Sequence, residues 1–221
     1  MNQILTANVA NNLYWLGRYL ERAEAALLEI NTVYDQIIDV DFEAGKKLYY
    51  KLGVDLEYKN AEDFLKQAII GEHSSNIKDT LDFARENAII SRSFIELEAF
   101  GSIIQLHDLF TQASVGGVTI DFIFIDDALS LISEIWGELT RKQTRNVNDY
   151  FLILGKSVEK VDFQLRLGKD KKYAIIVMDE IDTIVKILAP NAVFKAVHNS
   201  GEDTAVILES INNKINKIIV A

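Results

Sequence analysis

The chain has 221 residues, enough for one large domain or two small ones with a sizeable core. Its formal net charge of −10 repels phosphate backbones and anionic lipid, which argues against binding nucleic acid or a membrane surface. The lack of cysteine excludes disulfides, thiolate metal sites and a cysteine nucleophile. The single proline is far below the usual share of about 5% and favours helices, because proline breaks helix interiors.

The chain shows no sign of a membrane span or a secretion signal. No apolar run reaches the roughly 18 residues of a spanning helix. The first residues lack the basic and then apolar pattern of a signal peptide. We therefore expect a cytoplasmic location.

The first predicted element is a long helix that begins at a cap from Thr6 or Asn8 and runs to about Val40. Apolar residues recur along it at alternating spacings of three and four, as in helices that pack at shallow angles. These residues are Leu13, Leu16, Leu20, Ala23, Leu27, Ile30, Tyr34 and Ile37. The pattern predicts a helix buried along much of its length.

Charge and a glycine interrupt this helix near its middle. Arg18 and Glu21 lie three positions apart on a second stripe, so they share one face. Gly17 costs a helix about 1 kcal/mol relative to alanine. A glycine in this position predicts a close crossing with another helix.

The next segment predicts shorter helices. Residues 42–58 read as helical pieces broken at Gly45 and Gly53. Asn60 is the predicted cap of a short helix that Gly71 ends.

One long helix is then predicted over about 76–111, beginning at Ser74 or Ser75. Charged residues again interrupt an apolar face in this helix. The predicted stripe consists of Arg85, Ile89, Arg92 and Glu96.

Residues 121–127 allow two interpretations. The sequence DFIFIDD is short, apolar and bounded by acids, as a buried strand would be. We favour a helix, because apolar residues continue beyond it with helical spacing. These residues are Ile125, Leu129, Ile132, Trp136 and Leu139.

Three further helices are predicted towards the end of the chain. The first has Asn146 or Asn148 as its cap and runs to about Gly168. The second covers residues 173–188 and ends before Pro190. The last is amphipathic, with a capping pair at Ser200 and Asp203, and its apolar face is a candidate dimer surface over 205–221. Its apolar face consists of Ile207, Ile211, Ile215 and Ile218.

Residues 151–167 repeat residues 13–29 at a constant offset of 138. The apolar positions stay apolar, glycine falls on glycine, and four charges keep their signs. The matched pairs are Gly17 and Gly155, Arg18 and Lys156, Glu21 and Glu159, Arg22 and Lys160, and Glu24 and Asp162. We predict one all-α domain over 1–221, a multi-helix bundle with an internal pseudo-twofold duplication that relates helices near 11–40 and 148–168. The two glycines would lie at the crossing.

Three sequence blocks resemble motifs of the bacterial Alpha-E family, named for its predicted helices and its Glu-Arg motif. They are LYWLGRYLERAE (13–24), FARENA (83–88) and LGKSVEKVD (154–162). The chain departs from the usual family pattern at Ile89, where arginine is common, and at Lys156 and Lys160, which replace arginines.

The resemblance implies an all-helical protein whose gene lies beside genes for an ATP-grasp-like protein and a transglutaminase-like protease. That association implies a role in a peptide-forming or peptide-modifying system, with these proteins as partners. No catalytic residue is established for the family, so the resemblance assigns none.

Eight charged residues form the predicted polar cluster. They are Arg18, Glu21, Arg22, Arg85, Glu86, Arg92, Glu96 and Glu159. One interpretation is an ion-pair network that fixes the register of the helices. The other is a pocket whose arginines hold a carboxylate or phosphate, a task that suits the guanidinium group.

Other chemistry finds little support in the sequence. Gly155-Lys156-Ser157 is similar to part of a phosphate-binding loop, but that loop needs a glycine where Tyr150 stands. The three histidines are scattered without a Glu-x-x-His motif, and no serine lies in a G-x-S-x-G turn. We predict neither a metal nor a cofactor, and enzymatic activity is not favoured.

Two functions remain open. The first is a non-catalytic accessory or scaffold protein that binds an enzyme or peptide partner. The second is a substrate-binding or catalytic component whose Arg/Glu cluster holds a carboxylate-bearing peptide or metabolite. A deep polar cleft lined by Arg18, Arg22, Arg85 and Arg92 would favour the second, and a sealed polar core with an exposed apolar patch would favour the first.

Overall fold

A computed structural model describes residues 5–141, 144–191 and 204–219. Within these residues the chain forms nine α-helices and no strand, which confirms the all-α multi-helix prediction. The helices are α1 (Ala7–Asp39), α2 (Ala44–Lys51), α3 (Ala61–Ile70), α4 (Ile77–Ile90), α5 (Leu97–Ser114), α6 (Phe122–Thr140), α7 (Val147–Arg166), α8 (Lys171–Leu188) and α9 (Thr204–Ile219).

The central element of the fold is α1, whose 33 residues extend over about 50 Å. The Thr6 side chain caps it by accepting the backbone N–H of Val9 at 3.3 Å, as predicted. Its predicted apolar stripe is buried except at Tyr34, which is partly exposed. The helices α7 and α4 pack along it most extensively.

The predicted break at Gly45 is wrong, because this residue lies inside α2. A Cβ atom on Gly45 would lie 2.7 Å from the Phe64 ring and 2.8 Å from the Tyr58 ring, so this glycine allows α2 to approach these side chains closely. The predicted break at Gly53 is confirmed, since this residue has a φ of 79° beyond the end of α2. The predicted cap at Asn60 is also confirmed, with its side chain accepting the Asp63 N–H at 2.8 Å.

The prediction of one long helix over 76–111 is also wrong, because two helices, α4 and α5, cover this segment. Asn76 caps α4 in place of Ser74 or Ser75, and α4 ends at Ile90. A short 3₁₀ turn, Arg92–Phe94, and an extended Glu96 then lead into α5. The break separates two packing surfaces, because α4 lies against α1 whereas α5 lies mainly against α6. Helical periodicity runs through the sequence at this point, so only tertiary packing reveals the division.

Residues 122–140 form α6, which confirms the helical interpretation of this segment over the strand. The Asp121 side chain caps the helix by accepting the Phe124 N–H at 3.0 Å. Together α5 and α6 make a helical hairpin, closed at its turn by an edge contact between the Phe110 and Phe124 rings at 4.9 Å.

The helices α7 and α8 are joined by a tight turn at Gly168, whose φ is 69°. The prediction of Asn146 as the cap of α7 is confirmed, since it forms a reciprocal capping box with Asp149. The end of α8 at Leu188 is confirmed as well.

The apolar face of α9 packs inside the chain. Ile211, Ile215 and Ile218 are all buried, and Lys214 pairs with Asp182 of α8 at 2.8 Å. This corrects the idea that the isoleucine face is a dimer surface, because the chain itself covers it; the oligomeric state stays a prediction. The capping pair predicted at Ser200 and Asp203 lies outside the described residues.

The buried side chains of all nine helices belong to one hydrophobic cluster. The longest part of that cluster follows α1, where it is enclosed by α4 and α7. In the described part of the chain, no helix is both long enough and apolar enough to cross a bilayer.

Candidate functional site

The crossing of α1 and α7 is built on two glycines that face each other's helix. A Cβ atom on Gly17 would overlap the carbonyl oxygen of Leu152, and one on Gly155 would overlap the carbonyl oxygen of Tyr14. The close approach predicted from Gly17 is therefore confirmed, and Gly155 is its counterpart. Contact between the backbones brings the charged residues on both sides of the crossing together.

One side of the crossing carries the arginine half of the cluster, defined as Arg18, Arg22, Glu159, Asp162 and Arg166. Arg18 donates from Nε to Glu159 Oε2 at 2.7 Å and from Nη2 to Asp162 Oδ2 at 3.0 Å. Arg22 donates from Nε and Nη2 to the two Glu159 oxygens at 2.6 and 3.1 Å. Arg166 donates to Asp162 Oδ1 at 3.1 Å. Every carboxylate oxygen of this half accepts a hydrogen bond.

The electrostatics of Arg18 follow from this pairing. Burial alone would lower the pKa of its guanidinium, but the adjacent charges of Glu159 and Asp162 raise the pKa above its ordinary value. Arg18 is 7% exposed and Glu159 is 2% exposed. A buried pair of this kind fixes the register of two helices and is costly to break.

The other side carries the lysine half, defined as Glu21, Glu24, Lys156 and Lys160. Lys156 Nζ lies 3.8 Å from Glu21 Oε2, within ion-pair range but too far for a hydrogen bond. Among the described residues, Glu21 Oε2 has no hydrogen-bond partner although Glu21 is only 6% exposed. Burial raises the pKa of Glu21 to about 7, against the opposing charges of Lys160 and Lys156.

Lys156 lies between two buried groups. Its Nζ is 3.6 Å from the centre of the Trp136 ring, a cation–π contact, as well as near Glu21. Burial lowers the pKa of this lysine. The indole Nε1 of Trp136 also has no hydrogen-bond partner within the part of the chain that the structure describes.

An aromatic stack, defined as Trp15, Tyr19 and Phe83, covers the arginine half from α1 to α4. Successive ring centres are 5.5 Å apart, with planes inclined by 28°. The Arg18 guanidinium lies 5.1 Å from the Trp15 ring, and that of Arg22 lies 5.9 Å from the Tyr19 ring. Phe83 ends the stack and is 55% exposed. The stack joins the first two sequence blocks into one surface.

The eight predicted cluster residues divide into two sets. The crossing brings together Arg18, Glu21, Arg22 and Glu159. Arg85 instead pairs with its neighbour Glu86 at 2.7 Å on the surface of α4.

The remaining two predicted residues follow the break after α4. The guanidinium of Arg92 lies over the Phe100 ring at 5.3 Å. Glu96 precedes α5 and lines a small cavity with Asn148 and Asp149. The stripe predicted for Arg85, Arg92 and Glu96 does not form, because the helix that would carry it is divided.

Sequence reasoning missed several residues of this site. Asp162 belongs to the repeat alignment, opposite Glu24, and that match was the signal for its role. Arg166 follows Asp162 by four positions, the spacing of a helical ion pair. The stacking of Phe83 on Tyr19 had no local signal, because it depends on the register between α1 and α4.

A cavity of about 100 Å³, here called the arginine cavity, adjoins the arginine half. Arg22, Arg166, Glu159 and Asp162 form its charged wall. It is not the deep cleft considered from the sequence, because its lining does not include Arg18, Arg85 or Arg92. In the described residues no group of three or more His, Asp or Glu side chains is arranged to hold a metal ion.

Similarity to known proteins is found at the level of a protein family. No curated protein and no solved structure matched the chain. A family model described as Alpha-E, a predicted alpha-helical domain with a conserved ER motif, matches residues 5–211. With nearly the whole chain matched, the protein belongs to the Alpha-E family.

Proposed function

We propose that the chain is a single helical domain that acts as a non-catalytic accessory or scaffold subunit and binds a protein partner. The observation that supports this proposal is that Arg18 and Glu159 are buried and hydrogen-bonded to groups within the protein. Both Glu159 oxygens and two Arg18 nitrogens are engaged within the protein, and neither residue is exposed enough to meet a substrate. Groups paired in this way support helix register better than they support chemistry.

We assign the partner surface to the aromatic stack, whose outer ring is exposed. Aromatic rings are enriched at protein interfaces, since they bury much area with few rotatable bonds. Phe83 is the exposed end of the stack, and Tyr19 and Trp15 hold it in place. Arginines behind the rings keep two of them oriented.

The partners that fit this proposal are an ATP-grasp-like and a transglutaminase-like protein from the same genome. The support is the family membership, since members typically lie beside genes for such proteins. A peptide-forming or peptide-modifying system is the setting we propose, with this chain as the subunit that holds an enzyme or its peptide.

Binding of the two purified partners to Phe83→Ala tests the proposal. We expect the variant to keep its helical circular dichroism and its melting temperature but to lose at least about tenfold in affinity for one partner, as a hot-spot aromatic does. Phe122→Ala is the matched control, because Phe122 is 57% exposed at the start of α6, outside the stack. Equal binding by both variants and the parent, or binding to neither partner, would reject the proposal.

Arg18→Ala separates the two interpretations of the cluster. We expect this variant to lose stability, because Glu159 and Asp162 would lose their buried partner and keep only the more exposed Arg22 and Arg166. A variant that folds normally and fails only in ligand binding would favour the substrate-binding alternative.

A further inference from the structure

The arginine cavity lies between α1, α7 and the start of α4, on the outer side of the arginine half. One water needs about 10–15 Å³ of this kind of space, so about 100 Å³ has room for several waters or a group of a few heavy atoms. Arg22 and Arg166 reach it with side chains that are 37% and 46% exposed. The cavity is thus open to solvent but walled by protein.

Its charged wall has more hydrogen-bond donors than acceptors. Each guanidinium carries five N–H groups. Among the described contacts, Arg22 gives two of them to Glu159 and Arg166 gives one to Asp162, which leaves three and four respectively. All four oxygens of the two carboxylates already accept from arginines. A ligand that supplies acceptors therefore matches the surplus of donors on this wall.

The unused donors of this wall have the polarity that an anion requires. The wall itself has two guanidiniums against two carboxylates, and Arg18, which pairs with both carboxylates from outside the lining, brings the arginine half to a formal balance of +1 on a chain whose net charge is −10. The hydroxyl-bearing residues Ser74, Ser75 and Thr80 complete the polar lining. Charge and donors together favour a single oxyanion group over a cation or a neutral molecule.

The rest of the lining is apolar and narrows the choice of anion. This part of the wall consists of Leu52, Phe163, Ala26 and Ile77. An inorganic phosphate would leave these carbons facing water, whereas a carboxylate on a short aliphatic group would cover them. The size of the cavity limits that group to about one side chain.

We propose that the arginine cavity binds an aliphatic carboxylate, with Arg22 and Arg166 donating to the carboxylate and Leu52 and Phe163 contacting the adjoining aliphatic group. The carboxylate can come from a small organic acid or from the free C-terminus of a peptide. This site shares Arg22 with the aromatic stack, where its guanidinium lies over the Tyr19 ring. Its other proposed ligand, Arg166, is not part of the stack, so a variant at Arg166 tests the site independently of the proposed partner binding.

Four probes test the site by isothermal titration at constant ionic strength: N-acetyl-leucine, acetyl-Gly-Gly-Leu with a free C-terminus, the same peptide as its C-terminal amide, and inorganic phosphate. We expect both free acids to bind at least about tenfold more tightly than the amide, because the amide lacks the charge that the arginines hold. Tighter binding of the peptide acid than of N-acetyl-leucine would identify a peptide C-terminus as the source, and equal binding a small acid. Equal affinity for acid and amide, stronger binding of phosphate than of either acid, or no binding of the acids would overturn the proposal.

Arg166→Gln is the variant of choice, since Arg166 lies in the last turn of α7 and is half exposed, so its loss leaves the fold intact. We expect it to weaken binding of the free acids about tenfold or more and to leave the weak binding of the amide unchanged. Arg141→Gln is the matched control, because Arg141 is also a helix-end arginine paired along its own helix, with Glu138 at 3.1 Å. The same loss in both variants, or no loss in Arg166→Gln, would overturn the assignment of the carboxylate to Arg166.

Discussion

The two halves of the polar cluster carry charges of the same sign at positions 138 apart, yet their contacts differ. Arg18 and Glu159 meet at 2.7 Å, whereas the residues at the matching positions, Lys156 and Glu21, are 3.8 Å apart. A guanidinium presents a planar fork that can hold two carboxylates, while an ammonium acts as a point charge. Every carboxylate oxygen of the arginine half therefore accepts a hydrogen bond, whereas the lysine half leaves Glu21 Oε2 buried without a hydrogen bond in the described structure.

This difference shows that the sign and spacing of charges in the sequence determine where ionisable groups lie. They do not determine whether those groups form hydrogen bonds. The arginine half fixes the register of α7 relative to α1. The lysine half instead contains a carboxyl group whose pKa is raised by burial to about 7. The reciprocal contacts at the two glycines fit a twofold relation between these helices, but the internal duplication stays a prediction.

The largest expected effect comes from the crossing that both halves share. In Gly155→Ala the new Cβ would overlap the backbone oxygen of Tyr14, so the helices must separate and both halves must lose their geometry. We expect a loss of about 3 kcal/mol or more in the free energy of unfolding, measured by urea denaturation. Gly137→Ala is the control, because a Cβ there meets nothing within 4 Å, and it should stabilise α6 by about 0.5–1 kcal/mol. Equal stability of the two variants would show that the crossing tolerates a wider spacing.

Neutralising one carboxylate should destabilise the protein in the arginine half but not in the lysine half. At pH 8, Glu159→Gln leaves buried Arg18 and half-buried Arg22 without the charge that they share, at a cost of about 3 kcal/mol in the free energy of unfolding. Glu21→Gln removes a buried charge that has no hydrogen bond at Oε2, and it should be neutral or stabilising. Urea denaturation of both variants at one pH measures the contrast. A similar cost for both would mean that the halves are equivalent despite their different distances.

The same contrast predicts a pH dependence. The folded-state pKa of Glu21, about 7, lies above its ordinary value of 4.5, so the folded state binds the proton more tightly. Its contribution to stability is therefore fully present below about pH 4.5 and is lost as pH rises through 7, by about 3 kcal/mol at most. The groups that act on it are Lys156, Lys160, Glu24 and Glu159.

Comparison of the parent with Glu21→Gln isolates this group from the other carboxylates. We expect the stability of Glu21→Gln relative to the parent to rise by about 2–3 kcal/mol between pH 5 and pH 8. Unfolding free energies of both proteins at several pH values measure it. A difference that does not change with pH would place the pKa of Glu21 near its ordinary value.

The features that sequence predicted best are those with a local or repeated signal. The apolar stripe of α1 follows from helical spacing, and the crossing follows from Gly17 and its match at Gly155. The same offset places Arg18 and Glu159 beside the two glycines, although only the structure shows that they pair. These inferences needed no knowledge of the third dimension.

The features that sequence missed depend on contacts between distant segments. The break after Ile90 is hidden by continuous helical spacing, and it moves Arg92 and Glu96 away from the stripe of Arg85. The stacking of Phe83 on Tyr19 depends on the register of α4 relative to α1. The charge pattern grouped Arg85 and Arg92 with the arginines of α1, because the spacing of charges in the sequence does not show where a helix ends.

The smallest expected effect tests the cause of the difference between the halves. Lys156→Arg would place a guanidinium opposite Glu21, long enough to close the 3.8 Å gap and still able to lie over the Trp136 ring. We expect a gain of about 0.5–1 kcal/mol in the free energy of unfolding at pH 8, together with a lower pKa of Glu21. In a Glu21→Gln background the gain should vanish, because the new guanidinium no longer has a carboxylate to pair with. The difference between the two backgrounds measures the coupling between the two residues. A gain that persists in that background would come from packing on Trp136. The geometry of the guanidinium would then not explain the difference between the two halves.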